Sequence, residues 1–174
     1  MKKIAFSFLG ALVITGLASF TTFQTSGKKI PSVEIKTMTG QKFNTGKISN
    51  NGKPMIIDFW ATWCTPCKKE LNAISEVYSD WQKETGVKLI AVSIDDSKTS
   101  AKVKPYVDGK GWEFDVLVDE NSDFKRAMNV NNVPHIFVVN GAGEIVWETT
   151  TYTDGGEAKL LEVVKKVAAG EKPE

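Results

Sequence analysis

Two periodicities organise the chain. The runs Met55 to Ala61 and Val87 to Ile94 are short, almost continuously apolar and rich in β-branched and aromatic residues, which predicts two buried strands. Between them, from Pro66 to about Lys83, Leu71, Ile74, Val77, Tyr78 and Trp81 recur at helical spacing and predict an amphipathic helix. Further on, Thr99 to Lys110 can form a helix that Pro105 should end or kink. Phe114 to Val118 fits a short strand, and Ser122 could cap a helix running to about Met128. His135 to Val139, the turn Asn140-Gly141-Ala142-Gly143 and Glu144 to Trp147 predict a hairpin, and Glu157 to Ala169 a closing amphipathic helix. Upstream, Val33 to Lys36, Thr39-Gly40 and Gln41 to Phe43 suggest a small hairpin, followed by a turn-rich lead-in from Lys47 to Pro54. Strand, helix and strand followed by a hairpin and a last helix predict an α/β domain, its central sheet covered on both faces.

The first residues follow neither pattern. Lys2 and Lys3 precede a stretch from Ile4 to Gly27 without a charge, apolar almost throughout to Ala18 and then rich in small residues. This is the layout of a secretory signal peptide, placed at residues 1–20, with a linker over 21–30 and the folded domain over 31–174. An uncleaved membrane anchor is the rival reading, but it needs roughly 20 apolar residues, and Thr21, Thr22, Gln24, Thr25 and Ser26 interrupt the run. The expected location is therefore outside the cytoplasm, in a periplasm or its equivalent.

Charge adds mostly exclusions. Removing Lys2 and Lys3 from 22 basic residues leaves 20 against 21 acidic ones, and Arg126 is the only arginine, so nothing points to nucleic acid. At 41% hydrophobic and 25% charged residues the composition is that of an ordinary globular domain.

The chemistry concentrates in two cysteines, Cys64 and Cys67, in the run Trp63-Cys64-Thr65-Pro66-Cys67. An exported chain can keep a disulfide, but one closing so small a loop barely constrains the unfolded state, so the pair is of little use as a staple. Half of a zinc site is the other bland reading. Two cysteines and a single histidine, His135, cannot complete four Cys/His ligands, and neither metal nor cofactor is expected. The order strand, Cys64, two residues, Cys67, helix places Cys64 at a helix N-terminus, where free N–H groups and the macrodipole favour a thiolate. That effect is worth at most about 2 kcal/mol, or roughly 1.5 pH units, and carries a thiol from about 8.5 to about 7. Pro66 falls in the first turn, where its missing N–H costs nothing. Cys64 is thus the candidate nucleophile and Cys67 the thiol that resolves the mixed disulfide.

The segment Phe59-Trp60-Ala61-Thr62-Trp63-Cys64-Thr65-Pro66-Cys67-Lys68-Lys69-Glu70 closely resembles the active-site segment of the thioredoxin superfamily, in particular its exported TlpA-like and ResA-like branch. The resemblance runs from about Lys29 to the C-terminus. It implies a thioredoxin-like fold with a central mixed sheet, helices on both faces, an N-terminal hairpin and a central insertion around Thr99 to Asp119. It also implies that Trp63 is exposed beside the dithiol and contacts partners. Pro134 would follow a cis peptide bond that turns the backbone of Val133 toward an incoming substrate strand. Asp58, flanked by apolar residues on both strand faces, resembles the buried acid that exchanges a proton with the second cysteine, a general-base role. Glu70 resembles an acid that tunes the site in ResA-like proteins, and an exposed helix-face charge explains it equally well. His135 adjoins the expected substrate groove, though a partly exposed residue at a strand start is the plainer reading.

The function expected is a thiol–disulfide oxidoreductase acting as a monomer on disulfide- or dithiol-containing exported proteins. A membrane partner would supply electrons, and cytochrome c maturation is a role suggested by the resemblance. A thiol peroxidase of the same fold places a threonine upstream of its cysteine and uses an assisting arginine, an arrangement the Trp-Cys-x-x-Cys run replaces. A copper carrier built on Cys64, Cys67 and His135 suits soft thiolates, but such carriers set one more residue between their cysteines.

Overall fold

The computed structural model describes residues 27–173. The signal segment expected over 1–20, and residues 21–26 of the linker, lie outside the described residues.

Seven strands form one mixed sheet. Its centre is β3 (Met55–Trp60), buried at every position, flanked by β4 (Lys88–Ser93) in parallel and by β6 (His135–Val139) in antiparallel pairing. Beyond β4 lies parallel β5 (Asp115–Val118), and beyond β6 antiparallel β7 (Ile145–Thr149). The hairpin of β1 (Glu34–Thr37) and β2 (Lys42–Asn44) docks on the far side of β5, with Lys36 opposite Val118. The spatial order β2-β1-β5-β4-β3-β6-β7 is the mixed α/β sheet with an added hairpin that the runs predict. At the other edge, the Ile145 N–H donates to the Lys28 carbonyl at 2.8 Å, which fastens the start of the described chain beside β7.

Helix placement follows from the connections. β3 leads through α1 (Thr65–Thr85) to β4, and β4 through α2 (Val103–Lys110) to β5. Both steps run in the same direction across the sheet, and right-handed crossovers then put both helices on one face. The last helix, α4 (Gly156–Ala168), joins them by packing on α1 and β6. The short α3 (Asp123–Ala127) covers the opposite face, where Phe124 meets Phe59 at 5.3 Å between ring centroids. Alternation along β3 therefore sorts its side chains. Met55, Ile57 and Phe59 point toward α3; Ile56, Asp58 and Trp60 point toward α1. Trp60 packs edge-on against Trp112 at 4.9 Å, and the Trp112 indole N–H donates to Asn72 of α1 at 3.1 Å.

Two local expectations are corrected. Pro105 neither ends nor kinks a helix: a 3₁₀ turn over Ser100–Lys102 precedes α2, and Pro105 is the third residue of the α-helix, within the first turn where an N–H has no intrahelical acceptor. Ser122 does not cap α3 with its side chain. It sits in the left-handed region at φ 57°, and the Asp119 carboxylate instead accepts from the N–H groups of Phe124 (3.2 Å) and Lys125 (2.7 Å). The tight turn closed by Ser122 N–H on the Asp119 carbonyl, 2.8 Å, carries that carboxylate under the helix. The β6–β7 turn packs backbone to backbone on the Asn51-Gly52 turn, so closely that a Cβ at Gly141 would lie 1.9 Å from the Gly52 oxygen.

Candidate active site

The buried strand β3 ends at Trp60 and the chain turns sharply before α1 begins at Thr65. Within that elbow the Cys64 N–H donates to the Ala61 carbonyl at 3.0 Å. Cys64 is the N-cap of α1, and its sulfur accepts the Cys67 N–H at 3.3 Å. It thus takes the place a serine or aspartate oxygen fills at other helix starts. Thr65 and Pro66 fill the first turn. Cys64 and Cys67 are joined by a disulfide, and their burial differs: Cys64 keeps 5% of its surface and Cys67 none. An attacking sulfur reaches Cys64 first.

Below the dithiol, α1 buries Cys67, Glu70, Leu71, Ile74, Tyr78 and Trp81. Cys67 and Glu70, three residues apart, share one face about a turn apart. The two readings of Glu70 are thereby decided for position: it is 5% exposed, on the inner face, and not a solvated charge. Burial, reinforced by the charge of Glu157 at the start of α4, pushes its carboxyl up to about 8. Asp58 is fully buried on the same side of β3, and neither of its oxygens has a hydrogen-bond partner. Burial first, and the Glu70 charge second, hold it well above the usual carboxylate range. A buried carboxyl without donors around it is stable as the neutral acid. Both carboxyls thus lie on the inner face of α1 and β3, where burial favours their neutral forms.

The remaining sequence-predicted residues divide. Trp63 is 59% exposed beside Cys64, the one large hydrophobic side chain so exposed among the described residues. The Val133–Pro134 bond is cis and leads directly into β6. His135 is corrected: it is not partly exposed but buried, at 6%. It alternates with Ile136 and so lies on the α3 side of the sheet, stacked on Phe137 at 4.3 Å, its Nε2 3.4 Å from the Glu148 carboxylate. Burial lowers its pKa and Glu148 partly restores it. The sheet separates it from Asp58 and Glu70.

Two participants in this geometry escaped sequence reasoning. Glu157 reaches the acid cluster only through the packing of α4 on α1, which no local pattern encodes. Asp95, fully buried just past β4, accepts from Thr62 in the elbow. In-register parallel pairing of Trp60 with Ser93 places these two residues across from each other, so an acid directly after the apolar run Val87 to Ile94 was the available signal.

A family model described as the AhpC/TSA family matches residues 26–148, most of the chain. The chain belongs to the AhpC/TSA family. The thiol–disulfide oxidoreductase ResA of Bacillus thuringiensis is 30% identical to it over 157 residues, covering 84% of this chain and 88% of that protein. A thioredoxin-like protein from Porphyromonas gingivalis has a solution structure with a TM-score of 0.72 at 55% identity, over 80% of this chain and 92% of that one. StoA from Bacillus subtilis shares the fold, with a TM-score of 0.60 at 23% identity over 76% and 97% of the two chains. This AhpC/TSA protein is accordingly a thiol–disulfide oxidoreductase of thioredoxin-like fold, with Cys64 and Cys67 as its dithiol pair.

Proposed function

We propose that this oxidoreductase works in the reducing direction outside the cytoplasm, on disulfides of exported proteins, with electrons returned to it by a membrane donor. Cys64 attacks the partner disulfide; one partner sulfur leaves as a thiol and the other stays bound to Cys64. Cys67 then gives its proton to the Asp58–Glu70 pair and attacks the Cys64 sulfur. The mixed disulfide breaks, the second partner sulfur leaves, and the Cys64–Cys67 disulfide forms. On re-reduction the neutral acids return a proton to Cys67. Trp63 and the Val133–Pro134 backbone flank the partner segment. Keeping the cysteines of a cytochrome c or of a metal-centre protein reduced is the finer form of this role.

The observation that carries the reading is the asymmetry of the pair, with an accessible sulfur on the helix N-cap and a buried one on the face of α1 that also buries Glu70. Direction rests on the potential. Dithiols of this architecture span about −270 to −120 mV, or roughly 7 kcal/mol. Equilibration with a dithiothreitol buffer tests it: a value in the reducing half supports the proposal, and one near the oxidising end overturns the direction. Cys67→Ser should accumulate a mixed disulfide with partner proteins that carry disulfides, and Cys64→Ser should not. Peroxide consumption comparable to insulin-disulfide reduction would instead favour the peroxidase reading.

A further inference from the structure

Asp95 is a buried carboxyl that accepts from three donors and has no salt-bridge partner among the described residues. Its Oδ2 accepts the Thr62 N–H at 2.8 Å and the Ser93 hydroxyl at 2.7 Å, and its Oδ1 accepts the Thr62 hydroxyl at 2.6 Å. The Asp95 N–H returns to the Ser93 oxygen at 3.1 Å, which fixes the side chain against its own strand end. Such an arrangement is costly to bury unless the hydrogen bonds are all made. Two of the three bonds that the carboxyl accepts come from Thr62, and one of them ties down a backbone N–H in the elbow, since Thr62 lies beyond the last β3 residue and before the first turn of α1.

The elbow has few other restraints. Cys64 N–H to the Ala61 carbonyl closes it at one end, and the Cys64 sulfur to Cys67 N–H ties it to the helix. Trp63 between them is exposed. The Asp95 grip on both polar groups of Thr62 is what determines how the following residue is presented. We infer that Asp95 is a positioning residue beside the redox centre: it clamps Thr62 so that Trp63 is held in the pose that receives a partner protein, while Cys64 keeps its own ties to Ala61 and Cys67. The inference rests on the proposed action on protein disulfides, and it assigns Asp95 to recognition of the partner and not to the exchange chemistry, since Asp95 touches neither sulfur.

The experiment compares wild type with Asp95→Asn, Asp95→Ala, Thr62→Val and Thr62→Ser. Amide hydrogen exchange reads the clamp without any activity. In the two Asp95 variants the Thr62 amide should exchange at least tenfold faster, while amides of β3 such as Ile57 keep their protection. Steady-state reduction of insulin and of a small aromatic disulfide reads the consequence. KM for insulin should rise fivefold or more in Asp95→Ala and Thr62→Val, with kcat and the small-disulfide rate within twofold of wild type, and Thr62→Ser, which keeps both donors, should restore the insulin KM. Unchanged Thr62 exchange overturns the clamp. An equal loss on both disulfides, or exchange that rises throughout β3, assigns Asp95 a general structural role and overturns the inference also. Should wild type itself fail to reduce insulin, the functional reading fails, and the exchange data still decide the clamp.

Discussion

Glu70→Gln should make the protein more stable, and increasingly so as pH rises. The Glu70 carboxyl is ordinarily near 4.5 and sits at about 8 in the folded chain. The folded state therefore binds more protons than the unfolded one between those values. The sign follows: the stability contribution is intact below pH 4.5, falls as pH rises through the window, and is flat above about 8. At about 1.36 kcal/mol per pH unit the full span is worth about 5 kcal/mol, and at pH 7 about 3 kcal/mol of it has been lost. Glutamine matches the shape and never ionises. Urea unfolding of the oxidised protein at pH 4.5, 7 and 9, with the disulfide intact in both states, measures the difference. The two proteins should be within about 1 kcal/mol of each other at pH 4.5, and the variant more stable by about 2–4 kcal/mol at pH 9, since the amide inherits an unpartnered site and Asp58 absorbs part of the change. Resolution of mixed disulfides by the same variant should be slower, the exchange of stability for activity seen at other sites held in a strained electrostatic state. Stability profiles that stay parallel from pH 4.5 to 9 would refute the argument.

Other expectations are shorter. Glu157→Gln removes the charge that helps raise Glu70, so the Glu70 titration, followed by its carboxyl carbon resonance, should move to lower pH, while Glu162→Gln on the exposed side of α4 leaves it in place. His135 has a depressed pKa, so the stability it contributes as a neutral ring is fully present above about 6.5 and is lost as pH falls below that value through the lower pKa of the folded state; His135→Leu should flatten the thermal-stability profile between pH 7 and 5. Gly141→Ala drives a methyl group into the Gly52 carbonyl and should cost about 1–3 kcal/mol in urea unfolding, with reductase activity per folded molecule retained.

What the sequence disclosed and what it withheld divide along a physical line. Runs such as Met55 to Ala61 and the helical stripe from Leu71 to Trp81 encode burial directly, so β3, β4, α1, both hairpins and α4 are readable from pattern alone. The nucleophile and its partner are readable because two cysteines at a helix start have few other uses. Side choice is different. The neighbours of His135 suggest a groove, but alternation along β6 sends it to the α3 face, and that depends on register with β3. Glu70 sits on the apolar stripe of α1, and only the packing of β3 and α4 opposite reveals the acid cluster it belongs to. Ser122 looked like a cap because serine usually is one; a backbone turn gave that work to Asp119.

The arrival of α4 at the redox centre has a consequence for the order in which the molecule acquires its chemistry. Cys64 and Cys67 belong to the first half of the described chain, whereas β6, which covers Asp58, and α4, which brings Glu157, belong to its last third. A chain delivered N-terminus first exposes its cysteines while Asp58 still faces solvent on one side and Glu70 has no acidic neighbour from α4. Until the last segment docks, the dithiol has the N-cap of α1 but the acids behind it lack the neighbour that α4 brings. The acid cluster behind the dithiol is therefore complete only once α4 has packed on α1.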